Sequence, residues 1–512
     1  MKKVLLLVID ALNSRVVLPA IDEGRLPHFQ AFSEVGILNP GCTTIFPSIT
    51  PVATSSIITG CYPQEHGIAA DYWYNAETND VASFGADFQV VWKHGMGVFF
   101  DDFLIKLNHQ RLQAPTLFQQ VEQTGLTAAC LNYLIYRGNV LHRVDTPRLL
   151  TLIPDVPLAE HVYGPSLLRL GDFVEPDVAD IDLSLKTRGP FSRYGFEDKY
   201  TAKDLLRLAS ERLLPDFTVA YFPDNDFDSH AVGPQQAVAT LEQVDGYLGE
   251  LIEIYGGLDV MLQEFCVIIT GDHAQSDMLA DREEAGINLE KLLSEFNVAD
   301  AGTPLSDGEE LVICPNLRGA QIYFRQPTRG PVEKVVAQLL SEPRIDQVMW
   351  SAETMGERKP GYYVATRSRG AVRFWPDGDG IYAVADQYGT KWSWDGSLTA
   401  VDGQIENKSL LTFPTYPNAF ERIAGGLNVS EGGHLWVTAL PGYEFRLSGM
   451  KVHAGGSHGT LHELDSTVPL IAAGLPADLR LPHHMRSVDV APLCASVLGI
   501  QDGSSIGKSH II

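Results

Sequence analysis

An α/β architecture, with a mostly parallel central sheet between helices and a smaller α+β insertion, is predicted by three observations. Short apolar runs alternate with helical patterns through the first half of the chain, which is how a parallel sheet covered on both faces reads in sequence. The texture changes to closely spaced strands around one helix between residues 302 and 432. The 512-residue length exceeds what one hydrophobic core usually serves. These observations divide the chain into a core of residues 1–301 and 433–512 and an inserted unit of residues 302–432, a candidate cap.

The elements follow in order. The opening run Val4 to Ile9 is uniformly apolar and ends at Asp10. Its charged start resembles a secretion signal, but Asp10 interrupts it and no small-residue cleavage pattern follows, so it reads as a buried first strand. Leu126 to Tyr133, Phe217 to Phe222 and Phe265 to Ile269 repeat that pattern as further strands. Ala202 to Leu213 and Ala237 to Ile254 carry apolar residues at helical spacing, and Thr116 to Thr124 reads as a helix closed by Gly125. In the inserted unit, Ala320 to Phe324, Val348 to Trp350 and Tyr362 to Thr366 read as strands around a helix from Val332 to Leu340. His434 to Thr438, Tyr443 to Leu447, Pro469 to Ala473 and a helix from Val490 to Leu498 are expected to return to the central sheet.

Composition restricts the function classes. A chain with 45% hydrophobic and 20% charged residues packs a core. Its formal charge of -26 repels polyanions, so neither a nucleic-acid polymer nor an anionic membrane is an expected partner. No apolar run approaches the roughly 18 residues of a membrane span. Six cysteines without a CxxC pair, several of them inside apolar runs, suit a reducing compartment, and the cytoplasm is the expected location.

Seven side chains carry the chemistry. Asp10, Thr50, Asp226, His230, Asp272, His273 and His458 each stand at the mouth of an expected strand or helix. Ligands of such sheets bind beyond the carboxyl ends of the strands, so convergence is a geometric expectation. Carboxylates, imidazoles and a hydroxyl suit two divalent cations, zinc first, with manganese or iron accepted by the same donors. Paired ions of this kind serve displacement at phosphorus, and they supply the local positive charge that an anionic substrate needs in an acidic protein. Thr50 followed by Pro51 reads as a helix N-cap, where unpaired amides favour an anion.

The segment Thr50-Pro51-Val52-Ala53-Thr54-Ser55-Ser56-Ile57-Ile58-Thr59-Gly60, followed by Tyr62-Pro63 and His66-Gly67-Ile68, resembles the nucleophile region of the alkaline phosphatase superfamily, in its type I phosphodiesterase/nucleotide pyrophosphatase branch. The Asp-x-x-x-His-x-x-Gly-Pro pattern at Asp226 to Pro234, the strand-end pair Asp272-His273 and the late Gly456-Ser457-His458-Gly459 extend the resemblance, as does the passage Arg486 to Pro492. It implies an alkaline-phosphatase-like core, with one metal held by Asp226, His230 and His458 and the other by Asp10, Asp272, His273 and Thr50. It also implies cleavage of phosphodiester or pyrophosphate bonds in a small phosphate-ester or nucleotide-like substrate, by double displacement through a phospho-threonine at Thr50. A phosphomonoesterase or phosphonate hydrolase of the same superfamily is the near alternative. A non-catalytic, metal-stabilised binding protein is the alternative of another class.

Two positions depart from the family pattern. Asp71 stands where the family carries an Asn that donates to a phosphoryl oxygen. An ionised carboxylate cannot donate, so a protonated Asp71, Asn75 or a backbone amide takes the role, or Asp71 is a surface residue. Pro51 stands where nucleotide-cleaving members carry an aromatic residue, which leaves Tyr72, Trp73 and Tyr74 as a stacking wall or as packing. Cys61 reads as structural, His483-His484 as surface residues, and Asp224 and Asp228 as neighbours that tune the ligands or face solvent.

Overall fold

The computed structural model describes residues 2–84, 101–147, 160–178, 181–184, 187–377, 380 and 383–501. Seven strands form the core sheet in the order Ile37–Thr43, Thr467–Ala473, Phe265–Gly271, Lys3–Ile9, Phe217–Phe222, Ala128–Leu131, Leu167–Arg169. Thr467–Ala473 runs against the direction shared by the other six strands. Because side chains alternate across a strand, Val4, Leu6 and Val8 pack into one apolar layer while Leu5, Leu7 and Ile9 pack into the other. Both layers exclude water, which is why the run is apolar at every position and not at every second one.

The register positions everything that follows. Ile9 lies opposite Gly271 on one side and Phe222 on the other, so these three strands end at one level. Residues 10, 223 and 272 therefore leave the sheet side by side. Ala11, at φ 55, bends the chain directly after Asp10, and Asn225 fixes the bend by donating to the Asp10 and Ala11 carbonyls at 2.8 and 3.1 Å. Gly271 admits no side chain, because a Cβ there would meet Leu12 at 2.8 Å.

The expected strands form with shifted ends. Leu126 to Tyr133 shortens to Ala128–Leu131, and Phe265 to Ile269 lengthens to Phe265–Gly271. The helices run Leu117–Gln123, capped by Thr116, then Asp198–Ser210 and Val238–Ile254.

A second sheet of ten strands holds Leu311–Asn316, Gly319–Phe324, Leu435–Ala439, Ile345–Ser351 and Tyr362–Ala365 in that order, followed by five more short strands. Helix Arg329–Ser341 packs on Ile345–Ser351. Here the expectation for the late strands fails. Leu435–Ala439 joins this second sheet between Gly319–Phe324 and Ile345–Ser351, and Glu444–Arg446 pairs in parallel with Gly286–Asn288. The cause is burial: all five residues of Leu435–Ala439 are buried, so a central strand of either sheet would read alike. Thr467–Ala473 does return to the core sheet, and helix Val490–Val497 packs on that sheet at strand Lys3–Ile9. The two sheets share one apolar layer, and Arg318 bolts them together by donating to Ser276 at 2.6 Å and to Asp465. Among the described residues, no helix is long and apolar enough to cross a membrane.

Candidate active site

Asp10, Asp272 and His273 emerge together from the level strand ends. Asp272 Oδ1 accepts from the amides of Ala11 at 3.2 Å and His273 at 2.8 Å, and Asp10 Oδ2 accepts from the Tyr221 hydroxyl. The second oxygen of each, Asp10 Oδ1 and Asp272 Oδ2, is buried and receives no hydrogen bond. His273 Nε2 sits among them, 3.3 Å from Asp10 Oδ1, 3.7 Å from Asp272 Oδ2 and 3.1 Å from Thr50 Oγ1. Thr50 thus reaches the strand ends from the start of helix Thr50–Thr59. Its place differs by one from the expected cap. Ile49, in extended conformation, is the N-cap, and Thr50 is the first helical residue with Pro51 after it. The Thr50 hydroxyl is therefore not used to cap amides and points to His273 instead.

Asp226 and His230 lie one turn apart on helix Asp224–Val232, with Asp226 Oδ2 3.4 Å from His230 Nε2. His458 follows the short strand Gly456–Ser457, which pairs with Ser276–Asp277, and its Nε2 stands 3.7 Å from Asp226 Oδ1. The His458 ring stacks on His273 with centroids 3.7 Å apart, joining the two halves. All seven expected residues converge.

The hydrogen-bond directions fix the chemistry of the imidazoles. His230 Nδ1 faces the Gly456 carbonyl at 2.8 Å, His458 Nδ1 the Ser48 carbonyl at 2.7 Å, and His273 Nδ1 the Ala274 carbonyl at 3.2 Å. A carbonyl only accepts, so each Nδ1 carries the proton and each Nε2 presents a lone pair to the site, the arrangement of ligating histidines. Burial holds His230 and His458 below the usual imidazole range, which keeps them neutral. Burial first, and neighbouring carboxylates after it, push Asp10 and Asp272 upward. Crowded acids with orphaned oxygens, facing three imidazole lone pairs, fit a divalent cation. The ligand atoms of Asp226, His273 and His458, and those of Asp10, Asp272 and His273, lie within 4.8 Å of one another.

The family model for type I phosphodiesterase/nucleotide pyrophosphatase matches residues 4–391. The chain belongs to this family. Its fold is shared with solved structures of murine ectonucleotide pyrophosphatase/phosphodiesterase 5, one of them an inactive form in complex with AMP. That structure is 13% identical with a TM-score of 0.56, over 98% of this chain and 96% of the other. The human ectonucleotide pyrophosphatase/phosphodiesterase 5 is 15% identical with a TM-score of 0.55 over the same shares. The core is alkaline-phosphatase-like, as its mostly parallel sheet and strand-end site already indicate. Membership in a phosphodiesterase family supports hydrolysis of phosphodiesters by this chain.

The site opens into a cleft of about 1060 Å³ lined by Asp10, Thr50, Asp71, Asp226, His230 and His458 on its polar side. Phe84, Phe103, Phe173, Tyr194, Phe196 and Phe227 form an aromatic wall. Of the residues expected to touch substrate, Asp71 lines the cleft, but Tyr72, Trp73 and Asn75 do not. Tyr72 is buried and its hydroxyl accepts from the Gly302 amide at 2.8 Å. Trp73 donates to Glu431 at 2.7 Å beneath the Arg111 guanidinium, and Asn75 donates to the same Glu431 at 2.8 Å. Their hairpin is pressed against strand Leu311–Asn316, so their side chains serve packing.

The aromatic wall was missed because Phe173, Tyr194 and Phe196 lie outside regular strands and α-helices and belong to no motif. Phe227 carried a signal, since it sits inside the ligand motif yet is 53% exposed. Arg193 covers it, with its guanidinium 4.1 Å from the Phe227 ring, and also pairs with Asp224. Asp228 accepts from the Thr240 hydroxyl at 2.5 Å. Cys61 is half-buried, its thiol pushed up to about 11 by burial, and His483 and His484 do not line the cleft.

Proposed function

We propose that the chain is a metal-dependent hydrolase that cleaves phosphodiester or pyrophosphate bonds through a phospho-threonine intermediate at Thr50. The observation that carries this reading is the Thr50 hydroxyl 3.1 Å from His273 Nε2, inside a ring of orphaned carboxylate oxygens and imidazole lone pairs. Asp226, His230 and His458 would hold one divalent ion, and Asp10, Asp272, His273 and Thr50 the other, with zinc suited to this donor set and manganese or iron also accommodated. When bound, such ions lower the pKa of the attacking hydroxyl and neutralise charge on the departing oxygen.

The protein's own groups do the rest. Thr50, at the N-terminal end of its helix, attacks phosphorus in line while the ester or pyrophosphate oxygen opposite leaves with the bonding pair. Water then breaks the new bond to Thr50 from the leaving side. Tyr221 orients Asp10 through its hydroxyl, and the carbonyls of Ser48, Gly456 and Ala274 hold the imidazoles in the ligating tautomer. The aromatic wall gives a flat apolar group a surface to lie on, which suits a small nucleotide-like ester, in keeping with the AMP complex of the murine neighbour.

The test pairs a substrate panel with trapping. Bis-nitrophenyl phosphate, the nitrophenyl monoester and a nucleoside triphosphate are offered to the zinc-loaded protein, and quenched samples are analysed by peptide mass spectrometry for phosphate on Thr50. Turnover of the diester or triphosphate with label on Thr50 is expected. A strong preference for the monoester, or turnover with no phosphate on Thr50, would overturn the reading.

A further inference from the structure

Asp71 differs from the other acids of the cleft. Asp10 and Asp226 belong to the two candidate metal groups, and Glu444 is paired with His453 at 3.1 Å. Asp71 belongs to neither group, and the hydrogen bonds that hold this residue are made by its backbone. Its backbone is fixed on both sides. Asn316 Oδ1, from the second sheet, accepts from the amides of Asp71 at 3.1 Å and Tyr72 at 2.9 Å, and the Asp71 carbonyl accepts from the Phe84 amide at 2.9 Å. Asn316 Nδ2 closes the clamp on the Tyr72 carbonyl at 2.8 Å. The side chain is thus held half-buried at the cleft wall together with Thr50 and Asp226.

We propose that Asp71 selects substrate by charge, favouring the singly charged phosphoryl group of a diester over the doubly charged group of a monoester. The inference rests on the phosphoryl-transfer reading and names the substrate class within it. A diester brings one negative charge to the nucleophile and a monoester brings two. Bound cations would offset the three ligand carboxylates, which leaves Asp71 as the acid outside the metal groups beside the nucleophile, on a cleft that Arg193, Arg282 and Lys451 also line. In a partly buried site, one extra pair of like charges a few ångströms apart is worth about tenfold or more in affinity.

The test compares zinc-loaded wild type, Asp71→Asn and Asp71→Ala by titration calorimetry with inorganic phosphate and with dimethyl phosphate at about pH 8, where the first is mainly a dianion and the second a monoanion. The ratio of the two dissociation constants is expected to shift at least about tenfold toward phosphate in both variants. The ratio of kcat/KM for nitrophenyl phosphate over bis-nitrophenyl phosphate should rise in the same sense. A binding ratio within about twofold of wild type in both variants, with zinc content retained, overturns the inference and leaves the hydrolase reading standing. A shifted binding ratio in a wild-type background that hydrolyses nothing sinks the hydrolase reading and upholds charge selection. Failure of phosphate to bind any of the three proteins overturns both.

Discussion

Asp346 and Asp386 in the ten-stranded sheet are as deeply buried as Asp10 and Asp272 at the end of the core sheet, at 2% and 4% exposure against 3% and 0%. Their surroundings are opposite. Asp346 accepts from Arg369 at 2.6 Å and from the Tyr416 hydroxyl at 3.0 Å, and Asp386 from the Trp392 indole and the amides of Tyr388 and Thr390. Asp10 and Asp272 each retain an oxygen that nothing satisfies, and burial raises the proton affinity of both, with Asp272 adding to the rise at Asp10 and Asp226 to the rise at Asp272. Burial alone does not mark a functional acid. A buried acid whose neighbours are more acids and imidazole lone pairs is waiting for a cation, whereas one met by donors is part of the scaffold.

The largest effect expected from this contrast falls on Thr50. Thr50→Ala should lower kcat by at least about a thousandfold while zinc content by elemental analysis stays near wild type. Comparable turnover in that variant would assign the nucleophile elsewhere.

Substitutions of buried acids should then separate the two sheets by sign. Asp272→Asn should remove most activity and lower zinc affinity by about 10- to 100-fold or more, yet raise the stability of the metal-free protein by relieving like-charge crowding. Asp346→Asn should do the reverse, costing about 1–3 kcal/mol in denaturant unfolding with kcat unaffected. Both variants moving stability the same way would erase the distinction.

Much of this was legible in sequence for a physical reason. Metal ligands must be Asp, His or hydroxyl and must sit where strands end, so Asp10, Asp272 and His273 announce themselves after apolar runs, and Asp226 with His230 by helical spacing. What was illegible depended on tertiary contact. Leu435–Ala439 looks like a core-sheet strand because two-sided burial gives the same apolar run in either sheet. Whether Tyr72 and Trp73 stack on substrate or pack, and whether Asn75 donates to it, stayed open because the partners that bury them, Gly302 and Glu431, lie more than two hundred residues away. Phe173, Tyr194 and Phe196 reach the cleft through irregular segments that no periodicity describes.

The same contrast predicts a pH effect. Asp71, Asp10 and Asp272 bind protons more tightly when folded than when unfolded, Asp71 at about 7 against an ordinary 3.8. Above the unfolded value the folded state holds more protons, so the metal-free protein should lose stability as pH rises from about 4 to about 7. Melting curves should show this fall, and Asp71→Asn should flatten part of it. In the zinc-loaded protein the slope should weaken or reverse, since the ion binds only the deprotonated carboxylates.

The smallest effect concerns the aromatic residues. Phe227→Ala should raise KM for aryl esters by about threefold to tenfold relative to methyl esters and leave stability nearly unchanged, because the ring is half exposed. Trp73→Leu should show the converse, a loss of stability of about 2–4 kcal/mol with KM unmoved.

Anomalous diffraction from zinc-soaked crystals reads the candidate metal centre itself. Two ions roughly 4 Å apart are expected, one bound by Asp226, His230 and His458, the other by Asp10, Asp272 and His273 with Thr50 Oγ1 in its coordination sphere. A single ion, or a pair that leaves Thr50 outside both spheres, would contradict this arrangement.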